Sequence, residues 1–133
     1  MIFKYEMKVL EKHLDSFGHV NNSVYLEMLE EARWDFITKG GFGLKEVQGQ
    51  KKGPVVLEIN IKYRKELVNR EDIVIESKTL DDPAKIMRIE QKILKKNGDV
   101  SCLATLVVGF MDLEKRKLID PPSDWLNAIG INV

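Results

Sequence analysis

A length of 133 residues is that of one domain, so a single domain over 1–133 is expected, and 44% hydrophobic with 32% charged residues separates the chain from disordered sequences. Lys plus Arg (21) equals Asp plus Glu (21), and the resulting net charge of +0 removes the bulk field that draws proteins onto nucleic acid or anionic lipid. Cys102 is alone, which excludes an intrachain disulfide or a thiolate metal cluster and fits a reducing, cytoplasmic setting. The longest apolar stretch, Leu103 to Met111, is far short of a membrane span, and the charged N-terminus does not read as a cleavable leader.

Phe3, Tyr5, Met7 and Val9 alternate with Lys4, Glu6 and Lys8, the period of a strand with one buried face. Asp15 to Asn22 then forms a short polar loop rich in turn formers. From Ser23 the apolar positions Tyr25, Met28, Leu29, Ala32 and Phe36 take helical spacing, which predicts an amphipathic helix of about four turns. Asn22 or Ser23 is the expected cap, and Gly40-Gly41 the expected end. Phe42 to Gly53 has neither period and reads as a loop.

Beyond Pro54, a second strand places Val55, Leu57, Ile59, Ile61 and Tyr63 on one face. A third runs through Ile73 to Thr79 and a fourth through Ile86 to Lys95, before the hairpin dipeptide Asn97-Gly98. The near-continuous apolar run Ser101 to Phe110 predicts a fifth strand covered on both faces. Asp120-Pro121-Pro122 stops the sheet, and Ser123 or Asp124 caps a last helical turn or two. One strand, one long helix and four further strands give an α+β fold in which the helix, apolar over much of its surface, is central.

The loop from Asp15 to Asn22 sets a carboxylate, an imidazole and two amides just ahead of a helix N-terminus, where unpaired N–H groups and the macrodipole favour negative charge. That pattern suits thioester hydrolysis: Asp15 as base or nucleophile, the N–H at Asn22 or Ser23 on the developing oxyanion, and a thiolate that leaves without strong acid help. The plain structural alternative makes Asp15 an Asx-turn residue, His19 a loop-ordering imidazole, Asn21 and Asn22 turn and cap residues, and Tyr25 a core residue. Two histidines without cysteine nearby do not argue for zinc. Glu30 with Arg33 reads as a solvated surface pair, and Cys102 as a small buried hydrophobe.

The stretch from His13 to Phe36, with Asp15, Gly18, His19, Val20, Asn21, Asn22 and Tyr25 as its core, resembles the signature of hot-dog-fold acyl thioesterases of the 4-hydroxybenzoyl-CoA thioesterase type. Within that family it is similar to the long-chain acyl-CoA branch and to acyl-carrier-protein thioesterases. The resemblance implies a curved, antiparallel five-stranded sheet wrapped around one long helix, paired into a homodimer or homotetramer with sites at the subunit interface. It implies catalytic roles for Asp15, His19 and Asn22, and substrate contacts from Asn21, Ser23, Tyr25, Ile61 and Tyr63. No cofactor is implied beyond coenzyme A as part of an acyl-CoA substrate. An acyl carrier protein is the alternative carrier, met by bases such as Lys62, Arg64 and Arg88, and a non-hydrolytic acyl-thioester binding protein is the alternative outside catalysis.

Overall fold

The computed structural model describes residues 1–132. In chain order the elements are β1 (Phe3–Lys8), α1 (Asn22–Lys39), α2 (Leu44–Gln50), β2 (Lys52–Tyr63), β3 (Asp72–Thr79), β4 (Ile86–Leu94), β5 (Val100–Asp112), β6 (Lys117–Ile119) and α3 (Ser123–Ala128). Five strands form one antiparallel sheet in the order β1-β3-β4-β5-β2, and the short β6 pairs with β5 where β4 has ended.

The two-residue period of the strands lines up in register to make one apolar face. Tyr5 lies opposite Ile75, Ile75 opposite Ile93, and Ile93 opposite Cys102. Against this face α1 buries Tyr25, Met28, Leu29, Ala32, Phe36 and Ile37. Each large side chain withdrawn from water in this way contributes about 1.5–3 kcal/mol. Trp125 and Leu126 of α3 close the far end of the same core, with Trp125 against Phe110.

Three departures from the sequence reading have local causes. The stretch read as a loop contains α2, which starts where Glu46 Oε1 accepts from the Gly43 N–H at 2.8 Å. Its apolar contact is Val47, whose side chain packs over Gly53. β6 was not expected: Asp112 Oδ1 accepts from the N–H groups of Glu114 and Lys115, and this turn folds the chain back onto β5. In α3 neither Ser123 nor Asp124 is the cap; Pro122 holds that position without a side-chain bond.

Two strand faces also differ. A bulge between Val56 and Glu58 shifts the register of β2 against β5. Val56 therefore lies opposite the buried Val108 and joins Ile59, Ile61 and Tyr63 on the inner face, whereas Val55 and Leu57 fall on the outer one. Gly109, opposite Val55, agrees: a Cβ there would lie 3.4 Å from Leu57. β5 is fully covered only on its inner face, and Leu103, Thr105 and Val107 on the outer face are half-buried.

Candidate active site

α1 and β2 run in opposite directions: the start of α1 and the loop before it meet the end of β2, whereas Trp34 and Ile37 toward the other end of the helix share an opening with Pro54 and Val56. Tyr63 Oη donates to the Asn22 carbonyl at 2.9 Å, and the Tyr25 and Tyr63 rings meet edge to face at 5.1 Å. The loop is held by short-range bonds. The Phe17 N–H donates to Asp15 Oδ1 at 2.8 Å, the Gly18 N–H to the Asp15 carbonyl at 3.1 Å, and the Asp15 N–H to the His19 carbonyl at 2.9 Å. Gly18 sits at φ +81°, a conformation that a Cβ would strain. A further bond, Val20 N–H to the Leu67 carbonyl at 3.1 Å, ties the loop to the segment after β2.

The helix cap is Asn21, one residue earlier than the cap expected at Asn22 or Ser23. Asn21 Oδ1 accepts from the Ser23 N–H and the Ser23 hydroxyl, both at 3.0 Å. The Asn21 N–H donates to the His13 carbonyl, and the Val24 N–H to the Asn21 carbonyl. Among the described residues this leaves the Asn22 N–H as the first-turn donor without a partner. The Asx turn at Asp15 is thus formed, yet it engages one oxygen only, and Oδ2 has no protein donor among the described residues.

A cavity of about 380 Å³ opens at this point, lined by Asp15, His19, Asn21, Asn22, Tyr25 and Tyr63 together with Arg64, Lys65 and Glu66. Six of the eight site residues named from the sequence therefore share one cavity. Ser23, with its hydroxyl engaged by the cap, and Ile61, half-buried against the core, do not line it. Glu66 was missed. Its Oε2 lies 3.1 Å from His19 Nδ1, and nothing in the local pattern marks a glutamate in a loop as the partner of a histidine 47 positions away. Tyr25 is buried, and burial raises its phenol pKa, so it serves the core as well as the cavity wall.

Of the bases put forward for a carrier-protein surface, Arg64 lines the cavity, whereas Arg88 is tied to Asp81 at 2.8 Å. Among the described residues no group of three or more His, Cys, Asp or Glu side chains could hold a metal ion. The geometry offers a carboxylate oxygen open to a proton or a carbonyl carbon, and an N–H at the positive end of an 18-residue helix open to an oxyanion.

The family model described as the thioesterase-like superfamily matches residues 9–129. The chain belongs to that superfamily. It is 34% identical over 115 residues to the long-chain acyl-CoA thioesterase FadM of Escherichia coli (strain K12), covering 86% of each. The solved structure of YbaW, a probable thioesterase from Escherichia coli, superposes with a TM-score of 0.83 at 30% identity over 96% of this chain and 98% of that one. The hypothetical protein SAV2348 of Staphylococcus aureus, solved in complex with CoA, superposes with a TM-score of 0.90 at 17% identity, covering 97% and 82% of the two chains. This superfamily member is a thioester hydrolase with the hot-dog fold expected from its signature. No helix among the described residues is long and apolar enough to cross a membrane.

Proposed function

We propose that the chain hydrolyses acyl-CoA thioesters to CoA and the free acid, with Asp15 as base or nucleophile and the Asn22 N–H as the oxyanion donor. The observation that carries this reading is the shared cavity at the start of α1, in which a half-open carboxylate and an unpartnered helix N–H lie together. In the general-base course, Asp15 takes a proton from water and the oxygen of that water bonds to the thioester carbon. Negative charge passes to the carbonyl oxygen at the helix end; its return breaks the C–S bond, and the thiolate leaves. A thiol pKa near 8.5 makes that departure easy without a strong acid. His19, linked to Glu66, is a second contact at the reacting end.

β2 is an unpaired edge of 12 residues with Val56, Leu57 and Ile59 exposed. So long an uncovered edge is a template for another strand, and in this reading a second copy of the chain pairs along it.

The test is thiol release from short, medium, long and aromatic acyl-CoA substrates by the wild type and Asp15→Asn. Release by the wild type, lost in Asp15→Asn and reduced less in His19→Ala, is the expected result. A fully active Asp15→Asn enzyme overturns the assignment of Asp15. Comparison of one acyl group on CoA and on an acyl carrier protein decides the carrier, and strong preference for the protein overturns the choice of CoA.

A further inference from the structure

The segment that follows β2 supplies Arg64, Lys65 and Glu66 to the wall of the cavity, yet from Arg64 to Glu71 it belongs to no strand or helix. Its backbone groups are satisfied by side chains and by other loops instead of a ladder. At one end the Arg64 and Lys65 N–H groups donate to the Ser101 carbonyl at 2.9 and 3.1 Å, and Ser101 Oγ donates to the Lys65 carbonyl at 2.6 Å. At the other end the Val9 N–H donates to the Glu71 carbonyl at 2.9 Å, and the Arg70 N–H to the Val9 carbonyl at 2.8 Å. Between these anchors the segment meets the loop before α1. Glu66 Oε2 lies 3.1 Å from His19 Nδ1, the Leu67 carbonyl accepts from the Val20 N–H, and Val68 forms an isolated bridge with His19.

One ion pair fastens the same three residues from elsewhere. Lys95, one position past the end of β4, donates from Nζ to the Glu66 carbonyl at 2.7 Å and lies 2.7 Å from Glu71 Oε1, while Glu71 Oε2 accepts from the Val68 N–H at 3.3 Å. Both side chains are withdrawn from water, Lys95 to 18% and Glu71 to 14% exposed, whereas every other ion pair among the described residues keeps at least one partner 39% exposed or more. A pair so placed is screened less than a surface bridge and holds a defined geometry. Neither residue lines the cavity. Leu67 is fully buried, which anchors the segment in the core but leaves the peptide groups on either side of it to be oriented by hydrogen bonds. Apart from the turn bond from the Glu71 N–H to the Val68 carbonyl, the bonds that would remain to Glu66–Val68 without the ion pair run to the loop before α1, so each segment would depend on the other for its place.

We infer that Lys95 and Glu71 are positioning residues of the active site: their ion pair sets the place of Glu66 and, through it, the orientation of the His19 imidazole in the cavity. The inference rests on the thioesterase reading of that cavity, and adds two residues that act on it without touching substrate.

The test follows His19 by NMR and thiol release by steady-state kinetics in the same variants. His13 and His19 are the only histidines, and His13, whose Nδ1 accepts from the Leu10 N–H at 2.8 Å, is the internal reference. Lys95→Met keeps the stem of the side chain and removes its charge. It is expected to move the His19 imidazole signals toward those of Glu66→Ala, to leave those of His13 in place, and to lower kcat roughly ten- to hundred-fold with KM within about twofold, the pattern of a misplaced group at the reacting end. Glu71→Gln, which keeps an oxygen for the Val68 N–H, is expected to lose less, and Lys95→Arg, which keeps the charge, to recover most of the kcat lost in Lys95→Met. In a Glu66→Ala background Lys95→Met is expected to cost no more than about threefold, because two residues that act through one another do not add.

His19 signals that stay at their wild-type positions in folded Lys95→Met overturn the inference. So does an unchanged kcat, or a loss of kcat that multiplies in full with that of Glu66→Ala. Where Lys95→Met does not fold, Glu71→Gln decides by the same two readings. A wild type that hydrolyses no thioester refutes the hydrolase reading, and movement of the His19 signals in Lys95→Met then leaves the positioning of His19 standing.

Discussion

At the start of α1 most of the hydrogen bonds join near neighbours, such as Phe17 to Asp15 and Ser23 to Asn21, whereas two to three turns further on Arg33 and Leu29, together with Ser77, are joined to Gln91 across 58, 62 and 14 positions. The first set orders a solvent-facing loop and leaves a carboxylate oxygen and an N–H open. The second set runs through the buried Gln91 and Ser77 and ends at the half-buried Arg33. The proposed reaction would thus sit where mostly local bonds hold the backbone, while the core is pinned by a polar network whose members each depend on the others.

This contrast is open to attack from both ends. The largest effect is expected from Asp15→Asn. An asparagine keeps an oxygen for the Phe17 N–H, so the melting temperature should hold while thiol release falls by roughly 10²- to 10⁴-fold; a large loss of stability would show that the loop is more than a platform. Next is Gln91→Leu, which takes the side-chain partner from the buried Ser77 hydroxyl and from the half-buried Arg33 guanidinium. Urea unfolding should show a loss of about 3 kcal/mol, and a neutral result would mean that the network is not a determinant of stability. Asn21→Ala should cost about 1 kcal/mol by removing the cap, with Asn21→Asp restoring it, and the accompanying change in turnover measures how strictly the helix start must be held. The smallest effect concerns Cys102, whose thiol burial pushes up to about 12. A thiol reagent at neutral pH should react with it only on unfolding, and fast reaction with the native protein would show that the inner face of β5 opens readily.

Much of the fold was legible because it follows local periods. Phe3, Tyr5 and Met7 alternate as β1 requires, the helical spacing from Tyr25 to Phe36 marks α1, and Asn97-Gly98 makes the turn between β4 and β5, with Gly98 at φ +92°. The face of β2 was misread because alternation counts residues, and the bulge at Leu57 adds one that no residue type announces. α2 was missed because seven residues with one apolar contact carry no readable period. In the site, the polar loop and helix start were visible as a cluster, and Asp15, His19, Asn21, Asn22 and Tyr25 do share a cavity with Tyr63. Glu66 and Lys65 were not visible as members, and Arg64 was visible only as a base for a carrier protein, since only the opposite course of β2 and α1 brings the far end of β2 to that loop.

The sequence by itself determined the number of strands in the main sheet, the one long helix, and the polar loop with its signature, because each is written in contacts between residues a few positions apart. Only the tertiary structure decided that Arg33 bonds to Gln91 rather than pairing with Glu30, and that Arg33, Glu30 and both tryptophans line one opening. The physical reason is that an arginine on a helix has the same spacing to Glu30 whether it faces water or the sheet. Which face wins is decided by a buried amide 58 residues away that offers it an acceptor.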